Sequence, residues 1–557
     1  MSTTRITREH NAVPYPVDIV EQYRAAGIWR DDTIPQALRR TADRYPDGLA
    51  LATTTERWTY RELVRRADNV AAGLLRAGLT PGDAVVLQVG NNAHTVASWY
   101  GILRAGLLPV CTLTIHRRHE ITQITTLTGA VAHLVQADLS NFDLLAFAAE
   151  MAEERPQLAT LLSIGAPTGQ GGVHMEDLEL VDLSAAEREN LDAIERDTDL
   201  AAPAVLQLSG GTTGTPKIIP RLHPEYWYNG LATAEWWGFD SSDRLAFGLP
   251  VVHNAAIANA LFAAHAVGAA LVLDTPKAES LLPLMAELGA TWLMSPPGVM
   301  PEYLADDRFD AAFQSVRTCV LTAAPVSRRI FDGLQERGVH VSQAFGMTEG
   351  LFLFTPFEAC DELRATTVGV PVSSFDEVRL LVPDTEEVVA AGEIGELCVR
   401  GPYTIRGYLG EPERNRDAFT TDGFYRTGDL AVQREFGEFG REVSYLISGR
   451  TKDLINRGGE KINAEEIETL LVQHARVAEV ALVAMPDERL GERACVYIAA
   501  APGQEPPTLA ELCEFLAALG VAKFKWPERL EVLPVLPRTN IGKIQKVQLR
   551  GLLSAPQ

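Results

Sequence analysis

The chain has 557 residues, 46% apolar and 22% charged, which is ample for packed cores and for about three or four folding units of ~100–200 residues. Its 73 acidic residues against 50 Lys plus Arg give a formal net charge of −23. That balance argues against a nucleic-acid binder or a protein held on an anionic membrane, both of which need a basic face. A small anionic ligand needs only a few local cations and stays open.

The cysteines, Cys111, Cys319, Cys360, Cys398, Cys495 and Cys513, form no Cys-x-x-Cys pair and have no His at zinc-finger spacing. Neither a disulfide framework nor structural zinc is expected. The opening residues Met1 to His10 lack the apolar stretch of a signal peptide, so a cytoplasmic protein is expected.

From about 45 to 300 the pattern alternates between helical and strand periods. Thr59-Tyr-Arg-Glu62 reads as a capping box, after which Leu63, Ala67, Val70, Leu74 and Leu75 line one helical face. Ala84 to Val89 then reads as a buried strand. The same logic recurs in Tyr100–Ala105 followed by Leu108-Pro-Val, and in Leu282–Gly289 followed by Thr291-Trp-Leu-Met294. Helices alternating with short apolar strands predict parallel sheets under helical cover. The apolar run Ala255 to Leu273 nearly reaches bilayer length. Asn259 and His265 interrupt it, and Gly268 before Leu271-Val-Leu-Asp274 predicts a helix end and a strand, hence a buried pair rather than a membrane span.

Around 375–445, short strands such as Glu377–Val382 and Gly395–Arg400 alternate with Gly, Pro and Asp turns, predicting a small antiparallel sheet or barrel. Beyond Arg450, caps at Asn463-Ala-Glu-Glu466 and Thr508-Leu-Ala-Glu511 flank a strand at Val480–Ala484, predicting a small α+β unit.

The strongest local signal is Leu206-Gln-Leu-Ser-Gly-Gly-Thr-Thr-Gly-Thr-Pro-Lys217, an apolar strand running into Ser209, Gly210, Gly211, Thr212, Thr213, Gly214 and Thr215. Glycines let backbone N–H groups approach a phosphate and the hydroxyls add donors, so the loop reads as a phosphate cradle. It is not a Walker A loop, because Pro216 precedes Lys217 and no Ser or Thr follows.

With this loop the sequence resembles the adenylate-forming superfamily of acyl-CoA synthetases, luciferases and nonribosomal peptide synthetase adenylation domains. The other motifs follow in that family's order: Gln343-Ala-Phe-Gly-Met-Thr-Glu349, Gly392-Glu-Ile-Gly-Glu-Leu397, Tyr425-Arg-Thr-Gly-Asp429, Ser448-Gly-Arg-Thr-Lys-Asp453, Arg457-Gly-Gly-Glu-Lys461 and Pro537-Arg-Thr-Asn-Ile-Gly-Lys543. The narrower resemblance is to stand-alone aryl-acid AMP ligases of siderophore and related peptide pathways, such as dihydroxybenzoate- and salicylate-AMP ligases. It rests on Tyr23-Arg-Ala-Ala-Gly-Ile-Trp29, His116-Arg-Arg-His-Glu-Ile121, Ile219-Pro-Arg-Leu-His223 with Tyr228-Asn229, and His253-Asn254.

The resemblance implies an α/β architecture. A large N-terminal domain over 1–450 would hold two parallel-sheet α/β subdomains plus a small β-barrel-like subdomain, followed by a small mobile α+β domain over 451–557. It implies ATP and Mg²⁺ as cofactors, with release of pyrophosphate. Lys543 would bridge carboxylate and phosphate oxygens, Glu349 would ligate Mg²⁺, and Asp429 would hold the ribose with Arg450 assisting. Phe345 would stack on adenine against Ala323 and Ala324, with Gly346, Thr348 and Lys217 also at the nucleotide. Lys452 would be the hinge about which the small domain turns, bringing Gly458, Gly459 and Lys461 toward the acceptor thiol. His253 would pack near the carboxylate and Asn254 would meet an ortho hydroxyl or amino group, since an amide can donate and accept.

Three positions depart from the aryl-acid pattern. Ala255 stands where an aromatic residue is usual, Asn259 where Ser or Cys lies near the ring, and Phe352 where a smaller residue is common. They point away from plain 2,3-dihydroxybenzoate toward another ortho-substituted aryl or heteroaryl acid, bulkier ones included. The expected acceptor is the phosphopantetheine of a separate carrier protein, with free CoA as the alternative and a non-catalytic acyl-adenylate binder as a remote one. Lys523, Lys525 and Trp526 are candidates for a locally basic docking face on an acidic protein.

Overall fold

The computed structural model describes residues 12–139, 142–168, 172–208, 217–436, 442–457, 460–487, 490–519, 521, 523–538 and 543–553. Two large sheets dominate. A seven-stranded sheet takes its strands in the order Val173–His174, Thr160–Ile164, Ala132–Gln136, Ala84–Gln88, Leu108–Cys111, Pro203–Leu208 and Ile218–Leu222, with only the last pair antiparallel. A nine-stranded sheet has six parallel strands at its centre, Val341–Met347, Thr318–Leu321, Trp292–Ser295, Arg244–Phe247, Ala270–Leu273 and Leu49–Ala52. Strands Ala84–Gln88 and Ala270–Leu273 are buried along their whole length, as parallel strands covered on both faces should be.

Thr59 and Glu62 form the expected reciprocal cap on the helix Tyr60–Arg76, and Leu63, Ala67, Val70 and Leu74 are buried. That helix packs closely on the helix Ala93–Arg104. A Cβ at Gly101 would lie 2.5 Å from Val70, so only glycine permits the approach. One apolar cluster then joins the two sheets, taking in Val85 and Leu87 from one and Leu51, Leu245, Phe247 and Trp292 from the other. Burying both inner faces together makes the two α/β halves a single packed body.

The run Ala255–Leu273 is a broken helix and a strand. A π-helical segment Ile257–Leu261 leads into Phe262–Val267, Gly268 ends it at φ 85°, and Ala270–Leu273 follows. His265 is fully buried between the Tyr100 hydroxyl at 2.8 Å and the Ala50 carbonyl at 3.1 Å, and burial holds its imidazole neutral. Among the described residues no helix is long and apolar enough to cross a membrane. All six cysteines are free.

A four-stranded antiparallel sheet follows, Glu377–Leu381, Ile394–Arg400, Tyr425–Phe436 and Glu442–Arg450 in sequence order. Its core residues Leu380, Leu397, Val399, Tyr408 and Tyr425 pack with Leu351 and Leu353 of the nine-stranded sheet. Beyond Leu454, strands Leu454–Arg457, Glu460–Asn463, Val477–Asp487, Gly491–Ala500 and Arg529–Val532 form a fourth sheet. Helices Ala464–Leu471 and Leu509–Ala518 cover it, capped by Asn463 and Thr508, and its two apolar clusters draw only on residues from Ile455 onward.

Candidate active site

Open parallel sheets bind ligands beyond the carboxyl ends of their strands, because the connecting loops converge there. Four such ends carry the expected residues. Strand Pro203–Leu208 leads into Ser209, Gly210, Gly211, Thr212, Thr213 and Gly214, which lie outside the described residues, and the chain returns at Lys217. Strand Arg244–Phe247 leads to His253 and Asn254, Thr318–Leu321 to Ala323 and Ala324, and Val341–Met347 carries Phe345 and Gly346 before Thr348 and Glu349.

Ala323 takes φ 73°, a left-handed conformation that costs a residue with a Cβ of order 1 kcal/mol and that concentrates at functional sites. The preceding Thr322 hydroxyl donates to the Ala344 carbonyl at 3.1 Å, tying this exposed bend to the strand that carries Phe345. Phe345 is half-buried, with one side on the apolar cluster of the four-stranded sheet.

Glu349 is buried, and its Oε1 accepts a hydrogen bond from the Tyr408 hydroxyl at 2.8 Å. Tyr408 also lies 2.8 Å from the Tyr425 hydroxyl and takes a hydrogen bond from Lys217 Nζ at 3.3 Å, with the ammonium 4.6 Å from its ring. Loss of solvent pulls the Lys217 pKa down, while the charge of Glu349 opposes that shift.

Asp429 and Arg450 pair in register across two neighbouring strands, with Arg450 Nε 2.9 Å from Asp429 Oδ1. Burial raises the Asp429 carboxyl above the ordinary aspartate value, and Arg450 and then Lys543 draw it back toward the ionised form. Lys543 lies in the electrostatic field of Arg450, Asp429, Glu465 and Lys452. Desolvation first and Arg450 second push its pKa down. The same ammonium acts on His253, whose imidazole is pushed down by desolvation and then by Lys543. His253 keeps an exposed surface, and its Nδ1 accepts from the Ala255 amide at 3.2 Å, which leaves Nε2 to carry the proton of the neutral ring. The structure thus pairs Asp429 with Arg450 and sets Lys543 within electrostatic reach of that pair and of His253. Lys452 stands beside them in the short turn Thr451–Asp453. Lys461 is paired in register with Asn456, and its side chain is outside the described residues.

The three departing positions are placed differently. Ala255 is half-exposed beside His253. Asn259 is fully buried in the π-helical segment, its oxygen accepting from the Thr233 hydroxyl and its nitrogen donating to the Ala255 carbonyl, each at 3.1 Å. Phe352 is 4% exposed and belongs to the large core. Its ring lies over Gly346, where a Cβ would sit 2.3 Å from it. Asn259 and Phe352 are thus both held inside the packed body. Of the docking candidates, Lys523 is exposed, Lys525 pairs with Glu466 at 2.7 Å, and the Trp526 indole donates to Val521.

Sequence reasoning missed Arg221 and Glu225. Both are fully buried, joined by Nε–Oε1 at 2.9 Å and Nη2–Oε2 at 2.8 Å, and Arg221 also donates to Asn254 Oδ1 at 2.8 Å. The available signal was a Glu in the first turn of the helix His223–Trp237 and an Arg four residues earlier, on the strand Ile218–Leu222 that leads into it. Tyr408 had no comparable signal in the sequence.

Comparison with known proteins places the chain in a family. The family model described as AMP-binding enzyme matches residues 38–409, and the AMP-binding enzyme C-terminal domain matches 466–543. The chain is 38% identical to salicylyl-CoA synthase / salicylate adenylyltransferase of a Streptomyces species, over 98% of each chain. It is 34% identical to salicyl-AMP ligase / salicyl-S-ArCP synthetase of Mycobacterium tuberculosis, covering 98% of this chain and 95% of that one. The structure of apo MbtA from Mycobacterium smegmatis superposes with a TM-score of 0.71 at 34% identity, over 97% of this chain and 98% of that one. The chain belongs to the AMP-binding enzyme family.

Proposed function

We propose that this enzyme activates an ortho-substituted aryl or heteroaryl acid with ATP and passes the acyl group to a phosphopantetheine thiol. The observation that carries the reading is that Lys543 lies within electrostatic reach of the paired Asp429 and Arg450 and of His253. In the first step a carboxylate oxygen attacks the α-phosphorus of ATP, the bond to pyrophosphate breaks, and the acyl-adenylate forms. Nucleophile and target are both anionic, so cations must neutralise them and hold them in line. Lys543 supplies that charge at the reacting oxygens, Asp429 accepts from the ribose hydroxyls, and Arg450 orients Asp429. Neutral His253 packs beside the carboxylate and donates through Nε2.

Among the described residues no group of three or more His, Cys, Asp or Glu is placed to hold a metal by itself. A lone buried carboxylate, Glu349, with one oxygen fixed by Tyr408, suits Mg²⁺, which takes most of its oxygen ligands from phosphates and water. When bound there, Mg²⁺ neutralises phosphate charge.

The second step requires the unit 451–557 to turn about Lys452 relative to 1–450 and bring Lys461 to the thiol. A carrier-bound thiol is the favoured acceptor, in line with the name of the Mycobacterium tuberculosis relative. Free CoA is the second reading, in line with that of the Streptomyces one.

Acid-dependent pyrophosphate exchange over a panel of acids tests the first step. Strong exchange with salicylate-like or heteroaryl acids is expected, and exchange only with fatty or α-amino acids overturns the reading. Loading of an aryl carrier protein against CoA, each with the best acid, decides the acceptor.

A further inference from the structure

Around Asn254 lies a buried polar network centred on Arg221 and Glu225, two residues that no step of the reaction uses. Arg221 is 0% exposed, Glu225 1% and Asn254 2%. A guanidinium has five donors and no acceptor. Here Nε and Nη2 are held by Glu225, and Nη1 serves Asn254 Oδ1 at 2.8 Å and the Thr348 carbonyl at 3.1 Å. Nη2 also reaches Asn229 Oδ1 and the Tyr403 carbonyl, each at 3.4 Å, and the guanidinium carbon lies 4.1 Å from the centre of the Tyr226 ring.

This arrangement decides which way the Asn254 amide points. Reversing it would set an NH₂ group against a guanidinium, donor against donor, at a fully buried position. Oδ1 is therefore bound to Arg221. Nδ2 carries two N–H bonds, and its one contact among the described residues is the Met347 carbonyl at the long distance of 3.4 Å. Asn254 is left as a donor toward anything that enters beside it.

We propose that Arg221, fixed by Glu225, is a positioning residue that locks Asn254 as a hydrogen-bond donor, so that the site selects acids whose ortho group accepts and rejects those whose ortho group only donates. The proposal rests on the reading that Asn254 contacts the acid's ortho position. A 2-hydroxyl satisfies it, because its O–H closes a ring onto the substrate's own carboxylate and its oxygen faces Nδ2. A ring nitrogen beside the carboxyl carbon satisfies it too. An aromatic 2-amino group does not: its lone pair is delocalised into the ring, so it presents N–H to N–H.

The test is pyrophosphate exchange with benzoate, 2-hydroxybenzoate and 2-aminobenzoate. The proteins compared are the unaltered enzyme, Asn254→Leu, Arg221→Lys, Arg221→Met and the double variant Arg221→Met/Glu225→Leu, which leaves no unpaired buried charge should the single Met variant fail to fold. The unaltered enzyme is expected to favour 2-hydroxybenzoate over 2-aminobenzoate by at least ~10-fold in kcat/KM, the scale of one unpaired buried donor. Either Met variant should cut that ratio by ~10-fold through KM, and Arg221→Lys, which still donates to Oδ1, should restore most of it. A purely structural role would lower all three acids alike. No preference in the unaltered enzyme, or an unchanged ratio in the Met variants, overturns the proposal. If Asn254→Leu leaves the 2-hydroxybenzoate to benzoate ratio intact, the underlying reading of Asn254 fails. If Asn254→Leu collapses that ratio while the Met variants keep the hydroxyl-to-amino preference, only the role of Arg221 fails.

Discussion

Asp429 and Arg450 face one another across adjacent antiparallel strands, 2.9 Å between Oδ1 and Nε, with the carboxylate buried and the guanidinium half-exposed. The guanidinium favours the ionised form of this buried acceptor against desolvation. A carboxylate accepting from two hydroxyls makes charge-assisted bonds, each contributing roughly 1.5–3 kcal/mol. Asp429→Ala is therefore expected to raise the KM for ATP by ~10–100-fold, measured by exchange at saturating acid. An unchanged KM for ATP removes Asp429 from the nucleotide site.

Lys543 has a different signature. Its ammonium acts where negative charge meets negative charge, so its loss falls on the transition state more than on ATP binding. Lys543→Ala should lower the adenylation kcat by at least ~10²-fold and shift the Kd for ATP by much less, read by titration calorimetry. Near-normal adenylation by this variant refutes the role.

Tyr408 links three elements of the site by touching Glu349, Tyr425 and Lys217. Removing its hydroxyl frees one carboxylate oxygen of Glu349 without altering the charge. Groups that orient a metal ligand typically change metal affinity by ~10–100-fold. Tyr408→Phe should raise the Mg²⁺ concentration for half-maximal exchange by ~10-fold, Glu349→Gln should raise it further, and EDTA should stop the reaction. If Tyr408→Phe changes kcat but not the Mg²⁺ midpoint, the hydroxyl does not act through the metal.

The sequence made legible whatever depends on local chemistry. Thr59 with Glu62, and Asn463 ahead of Glu465 and Glu466, announced helix starts because capping needs a hydroxyl or amide at one fixed place. Gly268 announced the end of the apolar helix, because its left-handed φ follows from glycine's missing side chain. The site residues at strand ends were visible through their motifs. What stayed hidden was long-range. Nothing near Tyr408 says that its hydroxyl reaches a glutamate 59 positions earlier. Nothing near Asn254 says that an arginine 33 positions away occupies its oxygen. Phe352 shows the same limit: its type said that a wall had changed, and only packing shows that the ring is spent on the core over Gly346.

A half-buried acid with an enclosed carboxyl group, away from the chemistry, gives a test of stability. Asp376 follows Phe375, which packs on Tyr23 of the N-terminal helix Val17–Ala25; its Oδ2 accepts from the Tyr403 hydroxyl at 2.5 Å and its Oδ1 is buried without a hydrogen-bond partner among the described residues. Burial raises its carboxyl from the ordinary 3.8 to about 7, against the opposing pull of Tyr403 and the Ser373 backbone. Between those two values the folded chain keeps a proton that the unfolded chain gives up. Stability from this group is therefore fully present below about pH 4 and is lost as pH rises to about 7, by up to ~1.4 kcal/mol per unit. Asp376→Asn keeps the shape and the acceptor for Tyr403 but cannot ionise. Its melting temperature should match the parent near pH 3 and exceed it at pH 8, with the gap opening between about pH 4 and 7. A constant gap, or a variant less stable at pH 8, would mean that Asp376 is ionised in the folded protein and that its unpaired oxygen has found another partner.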